Sequence, residues 1–191
     1  MVGNDIVDIA EAKQKSNWQR PRFLEKLFTL KEQQIIHKSE NSFIMVWRLW
    51  SMKEAAYKLY TQIQPSRFYN PKQFECEINE SQGKVSYKDF TCHVKTKITS
   101  QYIISETRLV AQDMISESIK IYNSSPKYQS DMTKDILLSK VAEQYTILKD
   151  DLKLVKSEFG IPYVYQNSKK LNINISISHH GNYGAYAILQ V

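Results

Sequence analysis

Between Trp47 and Tyr60 the chain reads WRLWSMKEAAYKLY. Wound as a helix, this stretch puts Glu54 and Lys58 on one face with Trp50 and Ser51, while Val46, Leu49, Met52, Ala56 and Leu59 make an apolar stripe. Taken alone, Glu54 and Lys58 are an exposed ion pair four residues apart, worth a few tenths of a kcal/mol. A second carboxylate changes the chemistry on offer. Asp5 stands near the end of a strand-like run, VGNDIVDI. A strand carboxylate and a helix carboxylate, completed by water, are a common way to hold a magnesium ion that also takes phosphate oxygens. Asp5 in isolation reads equally well as a turn former or a helix cap. Asp8, three residues along the same strand, points to the opposite face.

The other chemically loaded stretch is ISISHHGNYGAYAI, residues 175 to 188, in a chain with four histidines. A strand stops at Ser178, His179, His180 and Gly181 and then resumes. One reading is a structural turn with an imidazole packed on an aromatic such as Tyr183. The other is an anion grip, in which a serine hydroxyl, an imidazole and glycine-freed backbone N–H groups converge on a phosphate. A histidine-pair metal site lacks a third ligand at suitable spacing. Cys76 and Cys92 fall in strand-like segments without metal-ligand spacing, so free buried thiols are expected.

The elements that must position these groups are readable in outline. Val2 to Ile9 is a strand, followed by a helix over about 10–17. RFLEKLFTLKEQQIIHK is helical in period, and Thr29 with Glu32 has capping-box spacing, so a helix starts near Thr29. The central helix is expected over about 42–60. FECEIN, KVSYKD, FTCHVKTKI and QYIISETRLVAQ read as an antiparallel meander. The polar, proline-bearing NSSPKYQS, residues 123 to 130, is the expected linker between a first half, 1–122, and a second, 123–191. A helix follows over about 131–148, then strands near 152–157 and 163–166 and the paired strands around residue 178. The fold class is α+β, in two similarly organised halves.

Composition bounds the rest. The chain has 191 residues, 42% hydrophobic and 24% charged, enough for a substantial core in one domain or two small packed halves. No basic, apolar leader and no membrane-length apolar run is visible, so a cytoplasmic location is the default expectation. Net charge is +6, and between Lys13 and Lys38 seven cations face two carboxylates. That segment favours an anionic partner.

Five motifs in order resemble the 4'-phosphopantetheinyl transferase superfamily. GNDIVDI is similar to the family's opening G-x-D-I-x-x-I strand, LFTLKE to its F-x-x-x-E helix start, and LWSMKEAAYK to its W-x-x-K-E-A-x-x-K helix. GIPYVY and ISISHHGNYGAYAI resemble its G-K-P-Y and S-I-S-H-S/T strands. The resemblance runs from Gly3 to Ile188. It implies that fold, as two α+β halves packed as a pseudo-dimer. It also implies transfer of the phosphopantetheine arm of coenzyme A to a serine of an apo acyl or peptidyl carrier protein, releasing adenosine 3',5'-bisphosphate. By position, Asp5 and Glu54 fall on the carboxylates that bind magnesium (manganese would also suit), Lys58 on the phosphate-binding lysine, and Ser178 and His179 on the coenzyme A contacts. His180 is expected as a neighbour of that contact. Asp5, Glu54 and Lys58 together form the implied catalytic set. The basic segment 13–38 would meet the acidic carrier, which fatty-acid, polyketide, peptide-synthetase and pigment pathways all use. Neither a nucleic acid nor a membrane is expected as partner.

The chain also departs from the family pattern. The third carboxylate of the larger surfactin-type members is Val7 here, a ligand set closer to that of the short holo-acyl-carrier-protein synthases. The lysine of G-K-P-Y is Ile161, so Lys153 or Lys156 is expected to replace it. Arg48 lies six residues before Glu54 rather than five, and a coenzyme A contact is carried over to it on that basis. The metal motif precedes the histidine motif, the reverse of the surfactin-type order. With two halves in one chain, a single internal active site and a monomer are expected. Two other functions compete. One is a basic nucleic-acid-binding protein, which its 12 Tyr, 7 Phe and 3 Trp would serve by stacking. The other is a degenerate transferase kept as a carrier-binding module.

Overall fold

The computed structural model describes residues 1–67, 69–110, 113–123 and 125–190. The first half opens with β1 (Val2–Asp8), then α1 (Ile9–Lys15), α2 (Phe23–Leu27), α3 (Leu30–Lys38) and the long α4 (Ser42–Ile63). β2 (Glu75–Asn79), β3 (Gln82–Tyr87), β4 (Phe90–Ile98) and β5 (Tyr102–Arg108) form the expected meander, closing an antiparallel sheet of order β1-β5-β4-β3-β2. Alternation along the strands puts Val85, Cys92, Val94 and Ile103 on one face, where they bury the α4 stripe of Val46, Leu49, Met52, Ala56 and Leu59. Both cysteines are free and buried in this core.

The second half holds β6 (Ile115–Lys120), α5 (Pro126–Tyr145), β7 (Leu152–Lys156), β8 (Pro162–Gln166), β9 (Lys169–Lys170), β10 (Ile173–His180) and β11 (Tyr183–Gln190). Its main sheet is ordered β10-β11-β6, and Ile121, Leu137, Val141, Ile175 and Tyr186 form its core with α5. β7, β8 and β9 form a third, small sheet. The connectivity of the first half recurs. In both, an opening strand is followed by helices and further strands, and the last strand returns beside the first, with the penultimate strand next to it.

Two boundaries differ from expectation. β6 pairs with β11, so the chain changes sheet between Arg108 and Ile115, earlier than residue 122. Its sequence, ISESIK, carries too little apolar alternation to announce a strand. α5 starts at Pro126, inside the expected linker, because Ser125 caps it and proline suits its first turn.

The halves meet along β1. Ile6 and Ile104 pack with Tyr183 and Ala185, and Val2 packs with Ala187 and Leu189. On the free edge of β1, side chains of β10 replace a backbone partner: Asn4 N donates to Ser176 Oγ at 2.9 Å, and Asp8 N to His180 Nδ1 at 3.0 Å. An exposed edge is thereby covered. No described helix is long and apolar enough to cross a membrane.

Candidate active site at the seam between the halves

Asp5 meets α4 because β1 lies directly on that helix. A Cβ on Gly3 would stand 2.0 Å from Ala55 O and 2.6 Å from Thr107 Oγ1, so only glycine permits this approach. Ser51 Oγ donates to Asp5 O at 3.1 Å. Lys58 Nζ donates to Asp5 Oδ1 at 3.0 Å and to Asn4 O at 2.9 Å. The Glu54–Lys58 face of α4 is therefore turned to the strand carboxylate.

Burial raises the proton affinity of Asp5, against the opposing pull of Lys58, His180 and the Ile6 N–H. Glu54 is pushed up to about 7, mainly by burial and next by the charge of Asp5, with Lys58 and the Tyr69 hydroxyl opposing. Tyr69 comes from the loop after α4, stacked on Tyr57 with ring centroids 4.3 Å apart. Its hydroxyl is buried without a well-formed hydrogen bond among the described residues. The loop has no periodicity, and no motif in the sequence marks this residue.

Across the seam, β10 delivers the histidine turn. His179 is exposed with part of its ring covered, and its pKa is lowered first by that partial burial and then by its neighbours Lys58, Lys156, His180 and Lys134. Ser178 is 5% exposed, and its Oγ has no hydrogen-bond partner among the described residues. The structure thus brings Asp5, Glu54, Lys58 and His179 into one electrostatic neighbourhood.

Beside them a cleft of about 200 Å³ runs between α4 and the second half, lined by Lys58, Thr61, Gln62, Lys156, Ile161 and Ser176 among others. Ile161 is buried, with its N–H 3.2 Å from Ser157 Oγ. Lys156 faces this cleft. Lys153, on β7, is absent from its lining and stands opposite Tyr165 of β8 in the strand register. Burial, Lys134 and Lys58 lower the pKa of Lys156, and it makes no ion pair among the described residues. This corner is an anion-attracting one.

Arg48 is not brought to this site. Its guanidinium donates to Glu80 O, in the β2–β3 turn, and it is nearly buried. At 100° per residue, six residues leave Arg48 and Glu54 about 120° apart around the helix, so the two side chains meet different surroundings. The basic segment spans α1 to α3, where Lys13 lies 5.5 Å from the Phe43 ring and Arg20 5.0 Å from that of Phe23. Phe28, Trp47, Phe74, Tyr87 and Tyr186 are spent on the cores. Among the described residues there is no group of three or more His, Cys, Asp or Glu placed to hold a metal ion.

No curated protein matches the chain. The profile of the 4'-phosphopantetheinyl transferase superfamily matches residues 1–111, a stretch that holds Asp5, Glu54 and Lys58. That is more than half of a mixed α+β chain with the repeated plan described above, and the chain belongs to the 4'-phosphopantetheinyl transferase superfamily.

Proposed function

We propose that this transferase moves the phosphopantetheine arm of coenzyme A to a serine of an apo acyl or peptidyl carrier protein and releases adenosine 3',5'-bisphosphate. The observation that carries this reading is the meeting of Asp5, Glu54 and Lys58 with His179 at the seam. Membership of the superfamily supplies the general reaction.

Asp5 and Glu54 suit a divalent cation, since burial and mutual repulsion leave them with a charge excess that a cation relieves. Magnesium held by these two carboxylates and water, or manganese in its place, supplies neutralisation of the pyrophosphate charge. Lys58 adds a positive charge to the phosphates at the same place. Ser178 Oγ, without a partner among the described residues, donates to the nucleotide, and His179 grips it beside Lys156, which does the work of the lysine absent at position 161. Glu54 takes the proton of the carrier serine directly or through water. The serine oxygen then attacks the β-phosphorus in line, and the bond to the bridging oxygen breaks, so that oxygen leaves with the nucleotide.

The acidic carrier docks on the basic segment 13–38, where opposite charge raises the on-rate. Both sides of the site come from one chain, which supports a monomer. Intact-mass spectrometry of apo carrier proteins incubated with the protein, coenzyme A and magnesium tests the reading. One added arm, lost with chelator or with Glu54→Gln, is expected. Absence of transfer from a chain that binds coenzyme A points to the binding-module alternative, and absence of binding overturns the reading.

A further inference from the structure

The side of β10 that faces β1 carries Ser176, Ser178 and His180 in succession. Ser176 Oγ accepts the N–H of Asn4 at 2.9 Å, and His180 Nδ1 accepts the N–H of Asp8 at 3.0 Å. Ser178 lies between them, its Oγ buried and without a hydrogen-bond partner among the described residues. The strand end is thus tied on both sides of the serine.

Asp8 secures the far side of the turn as well. Its Oδ1 accepts Ala10 N at 2.9 Å and Glu11 N at 3.1 Å, capping α1, while Oδ2 accepts Asn182 N at 2.8 Å. Gly181 sits at φ +57°, and a Cβ there would stand 2.4 Å from Asp8 Oδ2, so the turn closes directly over the carboxylate. Gln129 of α5 donates to Gly181 O from the other direction. The backbone from His180 to Asn182 is therefore fixed by a residue of the opposite half.

We propose that Asp8 and His180 are positioning residues, a latch between the halves that holds the β10–β11 turn, and with it the Ser178–His179 strand end, in place for the nucleotide. This rests on the reading of Ser178 and His179 as nucleotide contacts. His180 acts as a hydrogen-bond acceptor to Asp8 N and not as a ligand group, and Asp8 acts through the turn and not on the metal. The two halves can then grip one nucleotide only while the latch is made.

Titration calorimetry with adenosine 3',5'-bisphosphate tests this without metal or carrier, on wild type, His180→Ala, His180→Asn and Asp8→Asn. An asparagine oxygen can stand where Nδ1 accepts, whereas alanine offers no acceptor. The Asp8→Asn amide oxygen can still cap α1 but puts an N–H₂ group against the Asn182 N–H, so it opens the latch while sparing the helix. His180→Ala and Asp8→Asn are expected to weaken binding about ten-fold, the order of one lost hydrogen bond. His180→Asn should stay within about three-fold of wild type, and the KM for carrier should not change. Equal losses in His180→Ala and His180→Asn would make His180 a direct contact and overturn the latch, as would wild-type affinity in both His180→Ala and Asp8→Asn. A wild-type chain that binds and transfers while these variants match it leaves the transferase reading intact, whereas a wild-type chain that binds no nucleotide removes both.

Discussion

Lys53 and Glu32 form an ion pair with both side chains fully buried, Nζ to Oε1 2.8 Å. Every donor on the ammonium is used, on Glu32, Pro71 O and Phe74 O, and the carboxylate also accepts Thr29 N and Cys76 N. The pair ties α3, α4 and the start of β2 together, so the lysine beside Glu54 in the helix motif serves the fold. Removing one partner strands a charge in the core. Lys53→Met is expected to cost about 3–5 kcal/mol by chemical denaturation, and adding Glu32→Gln should return part of it.

Glu54 makes stability depend on pH in a definite direction. Its folded pKa, about 7, lies above the 4.5 of an unperturbed glutamate, so the folded protein holds the proton longer than the unfolded one. The contribution is fully present below about pH 4.5, is lost as pH rises through about 7, and amounts to roughly 3 kcal/mol. Metal-free Glu54→Gln should therefore match wild type near the lower limit and exceed it at about pH 8 in thermal melts, although it transfers no arm. A divalent cation should bind wild type more tightly as pH rises through the same range.

Gly3→Ala tests the contact that brings Asp5 to Lys58. The added methyl meets backbone at 2.0 Å, which cannot yield without moving β1 from α4. Expected are a loss of about 1–3 kcal/mol in stability and a fall in transfer rate larger than any change in nucleotide affinity.

Arg48→Ala separates a fold contact from a ligand contact. It loses the bond to Glu80 O, so about 1–3 kcal/mol of stability should go. Affinity for adenosine 3',5'-bisphosphate, measured by calorimetry, should stay within about two-fold. A drop of ten-fold or more would put the guanidinium on the nucleotide.

Docking of the carrier should be sensitive to salt. Raising ionic strength from about 50 to 300 mM shortens the screening length, so the KM for carrier should rise. Lys26→Glu should lower the on-rate without altering nucleotide affinity, and stopped-flow mixing with a labelled apo carrier measures both.

The sequence by itself determined the helix that carries Glu54 and Lys58, the strand that carries Asp5, the meander and the capped start of α3, because each is written in local periodicity and capping chemistry. It also carried the family, since the motifs lie in linear order. Tertiary structure alone decided which groups meet. Arg48 and Glu54 share a helix yet face different surroundings, because a 100° step per residue turns one to the β2–β3 turn and the other to the seam. That Lys156 lines the cleft and Lys153 does not depended on strand alternation and on how the small sheet docks. Asp8 and His180 found their parts only when residues 172 positions apart were brought within hydrogen-bond distance. β6 became a strand only by pairing with β11, because its own alternation is too weak to declare it. Local pattern records what one segment prefers, whereas a contact between distant segments depends on the packing of both.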